Sequence, residues 1–296
     1  AEGRIRLWQK GGVWYPRRRY PHPEVSIRGA GQSYVITSGD GAILGESSAS
    51  RVLFELHPGA IYLHKGMQYK VVRLYMGEKK VVVRPAGDIA YYTRAMTEEE
   101  TEIISVDRTR ELENTTLNFG TLRVTGRVLG YRKIHTHTGA DLGESPLELP
   151  PSVFTTKGVW MKVDEGILEE IKARKWSVAG ALHAAEHAAI ATLPLFTLCD
   201  RMDLGGVSYP YNPELESPAI FIYDGHEGGV GLTKRGLLCA PDWFSSTIRL
   251  MEECDCEVAC PSCTQDPKCG NNNEPLDKRG SVILLRYLLG GDAHGA

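Results

Sequence analysis

The sequence lacks a long hydrophobic run. Hydrophobic residues make up 42% of the 296 positions and charged residues 24%, as in ordinary globular proteins. No apolar stretch approaches the roughly 20 residues of a membrane-spanning helix, and the stretch at residues 188–198 is interrupted by Pro194. No basic and then apolar leader opens the chain. These absences predict a soluble protein without a membrane partner.

The sequence also lacks the motifs of an ATP-driven motor. No G-x-x-x-x-G-K-[ST] phosphate loop occurs, and the glycine-rich string at residues 228–234 has the wrong order. No acidic helicase-type box is present. An ATPase site is therefore not expected in these residues. Because the chain begins at Ala1 without a methionine, we expect a fragment of a longer protein.

A global positive charge is absent as well. Lysine and arginine number 34 against 37 acidic residues, so the net charge is −3. Residues 1–45 differ, because they hold seven basic and three acidic side chains. There, Arg17, Arg18 and Arg19 stand among aromatic residues. Arginine neutralises phosphates and aromatic rings stack on unpaired bases, so this string favours single-stranded nucleic acid as strongly as it favours a solvated loop.

A second basic strip follows in a predicted strand, where Arg123 and Arg127 lie among alternating apolar residues. Both arginines are candidate nucleic-acid contacts. The neighbouring acidic run at residues 98–102 is interpreted as a solvated face.

The seven cysteines are unevenly distributed. Cys199 and Cys239 are isolated in apolar surroundings, whereas the other five crowd into residues 254–269. This clustering, with an odd total and no signal peptide, favours thiolates on a metal in the reducing cytoplasm over disulfides. We predict a closed, structural Zn²⁺ site, with an iron–sulfur cluster as a lesser alternative. The predicted ligands are Cys254, Cys256, Cys260 and Cys263, with Cys269 as the replacement for Cys254 or Cys256.

A rival metal motif lies on a predicted alanine-rich helix. His183, Glu186 and His187 form H-x-x-E-H, which is typical of inverzincin metallohydrolases, where the glutamate is the general base. No obvious third ligand follows. The favoured alternative is a polar helix face that hydrogen-bonds to neighbouring elements.

A glycine-rich turn at residues 225–231 follows a predicted strand that ends near Asp224. Its main-chain amides are candidates for cradling an anion, and close packing between strand and helix explains the glycines equally well.

The order of predicted elements gives an α+β fold class. Short strands are predicted at residues 33–37, 60–64, 68–75, 80–84 and 89–93, typical of a small barrel or sandwich. Helices are predicted mainly after residue 164. We expect a basic connecting segment at 1–45, a β-rich barrel-like domain at 46–143, and an α/β module with a zinc–cysteine knot at 144–296.

Several strings resemble the region after the motor in bacterial MrfA-type repair helicases, which are superfamily-two DEAD/DEAH-type enzymes related to the fungal Hrq helicases. They are RGAGQSYVI from residue 28, FELHPGAIYLHKGMQYKV from residue 54, CPSC at 260–263 and KCGNNNEPLDK at 268–278. Shorter matches lie at residues 183–187, 200–206 and 223–232. The resemblance spans nearly the whole chain.

This resemblance implies the accessory end of an ATP-dependent helicase that translocates along single-stranded DNA in repair. It implies DNA and the motor domains of the same polypeptide as partners, and it makes the basic segment at 1–45 the tail of a preceding winged-helix domain. It also implies zinc on Cys254, Cys256, Cys260 and Cys263. ATP binding and hydrolysis would belong to the full-length protein alone. A metallohydrolase and a protein-interaction platform remain the alternatives.

Overall fold

The computed structural model describes residues 5–8, 13–16 and 33–291. The first two segments, β1 (Ile5–Trp8) and β2 (Val13–Pro16), form an antiparallel pair. Among the described residues, no helix combines the length and the apolar character that crossing a membrane requires.

A five-stranded sheet forms the first part of the described fold. Its strands are β3 (Ser33–Ser38), β4 (Ile43–Ser48), β5 (Ile61–His64), β6 (Met67–Tyr75) and β7 (Lys80–Pro85). The order is β4-β3-β7-β6-β5, and only the β3–β7 pair is parallel. Alternation along β6 buries Tyr69 and Val71 against α1 (Ala49–Glu55), which contributes Val52 and Leu53 to this core.

A second, strongly curled sheet follows. Its strands are β8 (Tyr91–Leu112), β9 (Thr115–His135), β10 (Asp141–Pro146), β11 (Ser152–Lys162), β12 (Leu204–Asn212) and β13 (Ser217–Asp224). Strand β9 pairs with β8 along one edge and with β10 and then β11 along the other, and β13 and β12 continue the sheet. The last strand returns to the first, where the main-chain N–H of Thr101 donates to Tyr209 Oη at 2.9 Å. The sheet is therefore nearly closed.

Side-chain alternation gives this sheet two apolar faces. Leu122, Trp160 and Phe221 pack together on one face, while Phe119 and Ile222 pack on the other against the helices. The helices are α2 (Glu165–Ala173), α3 (Val178–Thr192), α4 (Pro194–Thr197), α5 (Leu232–Leu238), α6 (Ala240–Glu252) and α7 (Lys278–Leu288). Alanines and Gly180 let α3 lie buried among its neighbours.

The predicted α+β class and the barrel-like sheet are confirmed. The domain boundaries expected at residues 45 and 143 fall inside strands β4 and β10. Moreover, β9 pairs with β11 across the second boundary. The curled sheet therefore joins the two halves that sequence composition separates.

Candidate metal centres

Four thiols converge beyond the end of α6. The Sγ atoms of Cys254, Cys256, Cys260 and Cys263 all lie within 4.8 Å of one another. The Cys254–Cys260 and Cys256–Cys263 separations are each 3.4 Å, and that of Cys260 and Cys263 is 3.6 Å. Tetrahedral zinc with Zn–S bonds of about 2.3 Å spaces its sulfurs about 3.8 Å apart. The four residues fit a zinc ion.

A tight turn of the main chain brings these thiols together. The carbonyl of Cys260 accepts hydrogen bonds from the N–H groups of Cys263, Thr264 and Gln265, at 3.2, 3.2 and 3.0 Å. The segment after Cys260 therefore folds back on itself, which places Cys260 and Cys263 on the same side of the turn.

The thiols perturb one another because they are so close. Burial and hydrogen bonds with neighbouring thiols raise the pKa of Cys256 to about 12. Burial also opposes ionisation of Cys260, but hydrogen bonds from Cys254 and the main chain of Ser262 outweigh it and lower its pKa to about 6. Four thiolates at these separations repel, so all four ionise together only around a cation.

Lys278, the first residue of α7, supplies a positive charge beside the thiol loop. Its Nζ atom donates to the main-chain oxygen of Cys254 at 2.7 Å and also to that of Cys256. The residue is buried. Four thiolates around a divalent ion leave a net negative charge, which this ammonium group offsets.

Cys269 lies apart from these four thiols and belongs to a second cluster. Its Sγ atom is 3.5 Å from His183 Nε2, and ligand atoms of His183, His187 and Cys269 all lie within 4.8 Å of one another. The H-x-x-E-H motif thus has a third potential ligand, which the sequence did not reveal because Cys269 lies 86 residues beyond His183.

The two imidazoles of this second cluster are oriented by main-chain oxygens. His183 Nδ1 lies 2.9 Å from the carbonyl of Pro275, and His187 Nδ1 lies 2.9 Å from that of Thr264. Burial lowers the pKa of His183, and it lowers the pKa of His187 to about 4. Burial also raises the pKa of Glu186 to about 8. Both rings are therefore neutral near pH 7 and Glu186 is mostly protonated.

The carboxylate of Asp224 lies within the glycine-rich turn, where the sequence offers an anion cradle as one of two interpretations. This carboxylate accepts from the N–H groups of Val230, Gly231, Leu232 and Thr233 at 2.7–3.2 Å, and from the Thr233 hydroxyl at 2.7 Å. The amides are thus satisfied by the chain's own carboxylate at the start of α5. The turn is a structural connection.

The candidate nucleic-acid residues fall in two groups. Arg17, Arg18 and Arg19 lie outside the described residues. Arg123 and Arg127 lie on β9, half exposed, and each forms an ion pair with a glutamate of β8: Arg123 with Glu102, and Arg127 with Glu100 at 3.0 Å. A DNA phosphate at either arginine would compete with a carboxylate.

Known proteins resemble this chain in both sequence and structure. Residues 185–264 match the MrfA Zn-binding domain. A Bacillus subtilis protein named as the ATP-dependent helicase YprA is 31% identical over 252 residues, which cover 82% of this chain and 33% of the helicase. A Methanocaldococcus jannaschii protein is 39% identical over 111 residues, which cover 36% of this chain and 99% of that protein. The crystal structure of the helicase MrfA bound to DNA matches 94% of this chain and 37% of its own, with a TM-score of 0.59 and 28% identity.

The chain resembles the C-terminal region of MrfA-type helicases. It spans about a quarter to a third of the length of the curated helicases it matches and corresponds to their C-terminal region. The predicted resemblance is therefore confirmed. The MrfA Zn-binding domain and the four-thiol cluster together support zinc as the cofactor, as predicted. The matched zinc-binding segment includes all four clustered thiols and His187 but neither His183 nor Cys269.

Proposed function

We propose that this chain is the DNA-handling C-terminal region of an ATP-dependent superfamily-two helicase or translocase that serves DNA repair. Motor domains elsewhere in the same polypeptide would supply ATP hydrolysis and movement. The match to the DNA-bound helicase MrfA over 94% of this chain carries the proposal. The described residues contribute a rigid platform built from the curled sheet and its helices.

The ligand set of the zinc ion is part of this proposal. Cys254, Cys256, Cys260 and Cys263 would hold the ion, which would complete its tetrahedral shell and leave no position for substrate. The ion would then be structural, because its binding free energy contributes to folding. It would fix the loop between α6 and α7, where Lys278 already contacts that loop. Reduced thiols of this kind persist in the cytoplasm, which is the compartment we propose.

Single-stranded DNA is the proposed form of the nucleic acid. Arg17, Arg18 and Arg19 stand beside Trp14, Tyr15 and Tyr20 in the sequence, a composition suited to phosphates and unpaired bases. Arg123 and Arg127 on β9 are the second pair of proposed contacts, and on binding their guanidinium groups would exchange Glu102 and Glu100 for phosphates.

Salt-dependent binding tests this function. Fluorescence anisotropy with a labelled single-stranded oligonucleotide is expected to show affinity that falls as salt rises. Replacing Arg123 and Arg127 by alanine is expected to reduce the slope of log K against log salt by about 0.7 for each phosphate that is no longer neutralised. Replacing Arg17, Arg18 and Arg19 together is expected to reduce it further.

Arg249 is the matched control, because it is exposed on α6 and forms an ion pair with Glu253. Arg249→Ala is expected to bind as the unsubstituted chain does. If all these variants bind DNA equally, the assigned surfaces are wrong. If the unsubstituted chain does not bind DNA at all, a protein-interaction platform becomes the better assignment.

A further inference from the structure

The second cluster, formed by His183, His187 and Cys269, is not needed for the function proposed above. The two histidines lie one turn apart on α3, and Cys269 comes from the loop before α7. All three residues are largely withdrawn from solvent. A cysteine and two histidines whose donor atoms meet in this way form a set that zinc-class ions bind.

Distances within the cluster suit a metal ion. For Zn–N bonds of about 2.0–2.1 Å and a Zn–S bond of about 2.3 Å, tetrahedral geometry separates nitrogen from sulfur by about 3.5 Å. The observed separation of His183 Nε2 from Cys269 Sγ is 3.5 Å. The two imidazole rings meet edge to face, with centroids 4.2 Å apart.

The hydrogen bonds around the cluster orient these donors. Each histidine has its Nδ1 atom 2.9 Å from a main-chain carbonyl, of Pro275 or Thr264, so Nδ1 carries the proton. Each Nε2 atom then carries a free lone pair. Ligating histidines in metalloproteins commonly have this arrangement. The Sγ atom of Cys269 accepts a hydrogen bond from the N–H of Asn273 at 3.2 Å, which holds this side chain beside the two imidazoles.

The cluster also borders a cavity of about 450 Å³. Three protein ligands leave a tetrahedral ion with one further position, in contrast to the four-thiol site. The cavity is lined by His183, His187 and Cys269, by Lys268 and by four acidic residues, Glu98, Glu99, Glu186 and Asp266. It has room for a water molecule or a small ligand on the ion.

We propose that His183, His187 and Cys269 form a second binding site for a divalent metal ion of the zinc class, with its remaining coordination position facing this cavity. Thr264 connects the two sites. It directly follows Cys263 of the four-thiol site, and its carbonyl contacts His187 of the second site. The competing explanation is a metal-free hydrogen bond from the Cys269 thiol to His183.

Metal content of the purified, folded chain separates these explanations. After saturation with Zn²⁺ and removal of loosely bound ions, the unsubstituted chain is expected to hold two equivalents by elemental analysis. Cys269→Ser and His183→Gln are each expected to hold one. The control, Cys199→Ser, changes a cysteine outside both clusters and is expected to hold two.

Co²⁺ substitution reports on the donors directly. The second equivalent of Co²⁺ is expected to add d–d absorption bands and further thiolate-to-cobalt charge transfer. The Cys269→Ser variant is expected to lose this additional charge transfer and to keep the spectrum of the four-thiolate site. If the unsubstituted chain is folded and saturated with metal but holds only one equivalent, the proposal is wrong. Two equivalents retained by both Cys269→Ser and His183→Gln would overturn it as well. Neither readout depends on DNA binding, so this site and the proposed function fail or succeed separately.

Discussion

The Nζ atom of Lys278 lies 2.7 Å from the main-chain oxygen of Cys254, although the two residues are 24 positions apart. Lys278 is the first residue of α7, and its own N–H donates to the carbonyl of Val258 at 3.0 Å. The start of one helix therefore holds the loop that carries the four thiols. The ammonium group of Lys278 therefore orders the loop through its hydrogen bonds, and it would also offset the negative charge of zinc-bound thiolates.

Replacement of Lys278 by methionine is expected to weaken zinc binding by about tenfold or more, as substitutions of groups that support metal ligands commonly do. The methionine keeps the apolar stem but removes the charge and both hydrogen bonds to the loop. Competition with a chromophoric chelator measures the change. Lys172→Met, at an exposed ion pair on α2, is the control, and equal affinities in the two variants would contradict the expectation.

Replacement of Cys260 and Cys263 by serine is expected to remove one zinc equivalent and to lower the midpoint of thermal unfolding. Binding of a structural zinc is worth about 10 kcal/mol or more, and part of that free energy stabilises this fold. Elemental analysis and thermal unfolding provide the two measurements. An unchanged zinc content together with an unchanged midpoint would show that these thiols are not ligands.

Replacement of Asp224 by alanine is expected to lower the free energy of unfolding by about 3 kcal/mol or more. The change leaves four main-chain N–H groups without their acceptor and leaves the Thr233 hydroxyl only the carbonyl of Lys157. The N–H of the buried Thr233 loses most, because a buried, unsatisfied donor costs about 1–3 kcal/mol, and the other three N–H groups add to this loss. Urea unfolding measures the loss. Asp88→Ala, in an exposed loop, is expected to change stability little. Equal effects of the two substitutions would rule out this role for Asp224.

Stability is expected to fall below about pH 6.5 because of His57. This residue is 1% exposed and stacks on Tyr131, with ring centroids 4.8 Å apart, and burial lowers its pKa. The unfolded chain binds a proton on this imidazole below about pH 6.5, whereas the folded chain does so only at lower pH. The stabilisation is therefore present above that pH and is lost as pH falls, by up to about 1.4 kcal/mol per pH unit.

His57→Phe removes this titration and keeps a ring against Tyr131. Its stability is expected to depend less on pH between 7 and 5 than that of the unsubstituted chain, as urea unfolding at several pH values would show. His137→Phe, at an exposed position, is expected to retain the original dependence. A His57→Phe profile parallel to the original would disprove the contribution.

A fragment of residues 144–296 is expected not to fold, although its composition suggests a separate module. Strand β11 would lose its pairing with β9 between Ser152 and Trp160, and Phe119 would be missing from the helical core. Circular dichroism and urea unfolding of the fragment test this. A cooperative transition like that of the full chain would show that residue 143 is a real boundary.

The sequence predicts local features of this protein well and distant pairings poorly. The spacing of the cysteines predicted a cluster at residues 254–263, although it left Cys269 as a replacement for Cys254 or Cys256, and the structure brings the first four thiols together. The partner of His183 and His187 was missed because Cys269 comes from a distant loop.

The extent of β8 was likewise missed. The sequence suggested a short strand at 89–93 and a solvated acidic face beyond it, but the strand continues to Leu112. Alternation along β8 leaves Glu98 and Glu100 exposed and turns Glu99 inwards, where it accepts a hydrogen bond from Tyr223. The alternation of buried and exposed residues cannot be seen in the sequence here, because Glu98, Glu99 and Glu100 are all acidic. The tertiary fold alone decides which of these carboxylates is buried.

The long strand β8 has a consequence for folding during synthesis on the ribosome. Its pairing partner β9 follows directly in the chain, but its further partners are distant: Tyr209 contacts Thr101 from 108 residues later, and Asn272 contacts Arg94 from 178 residues later. At about 5–20 residues per second, a ribosome needs on the order of ten seconds or more to deliver the last of them. During that interval the apolar face of the ribbon would lack the later segments that cover it in the folded protein.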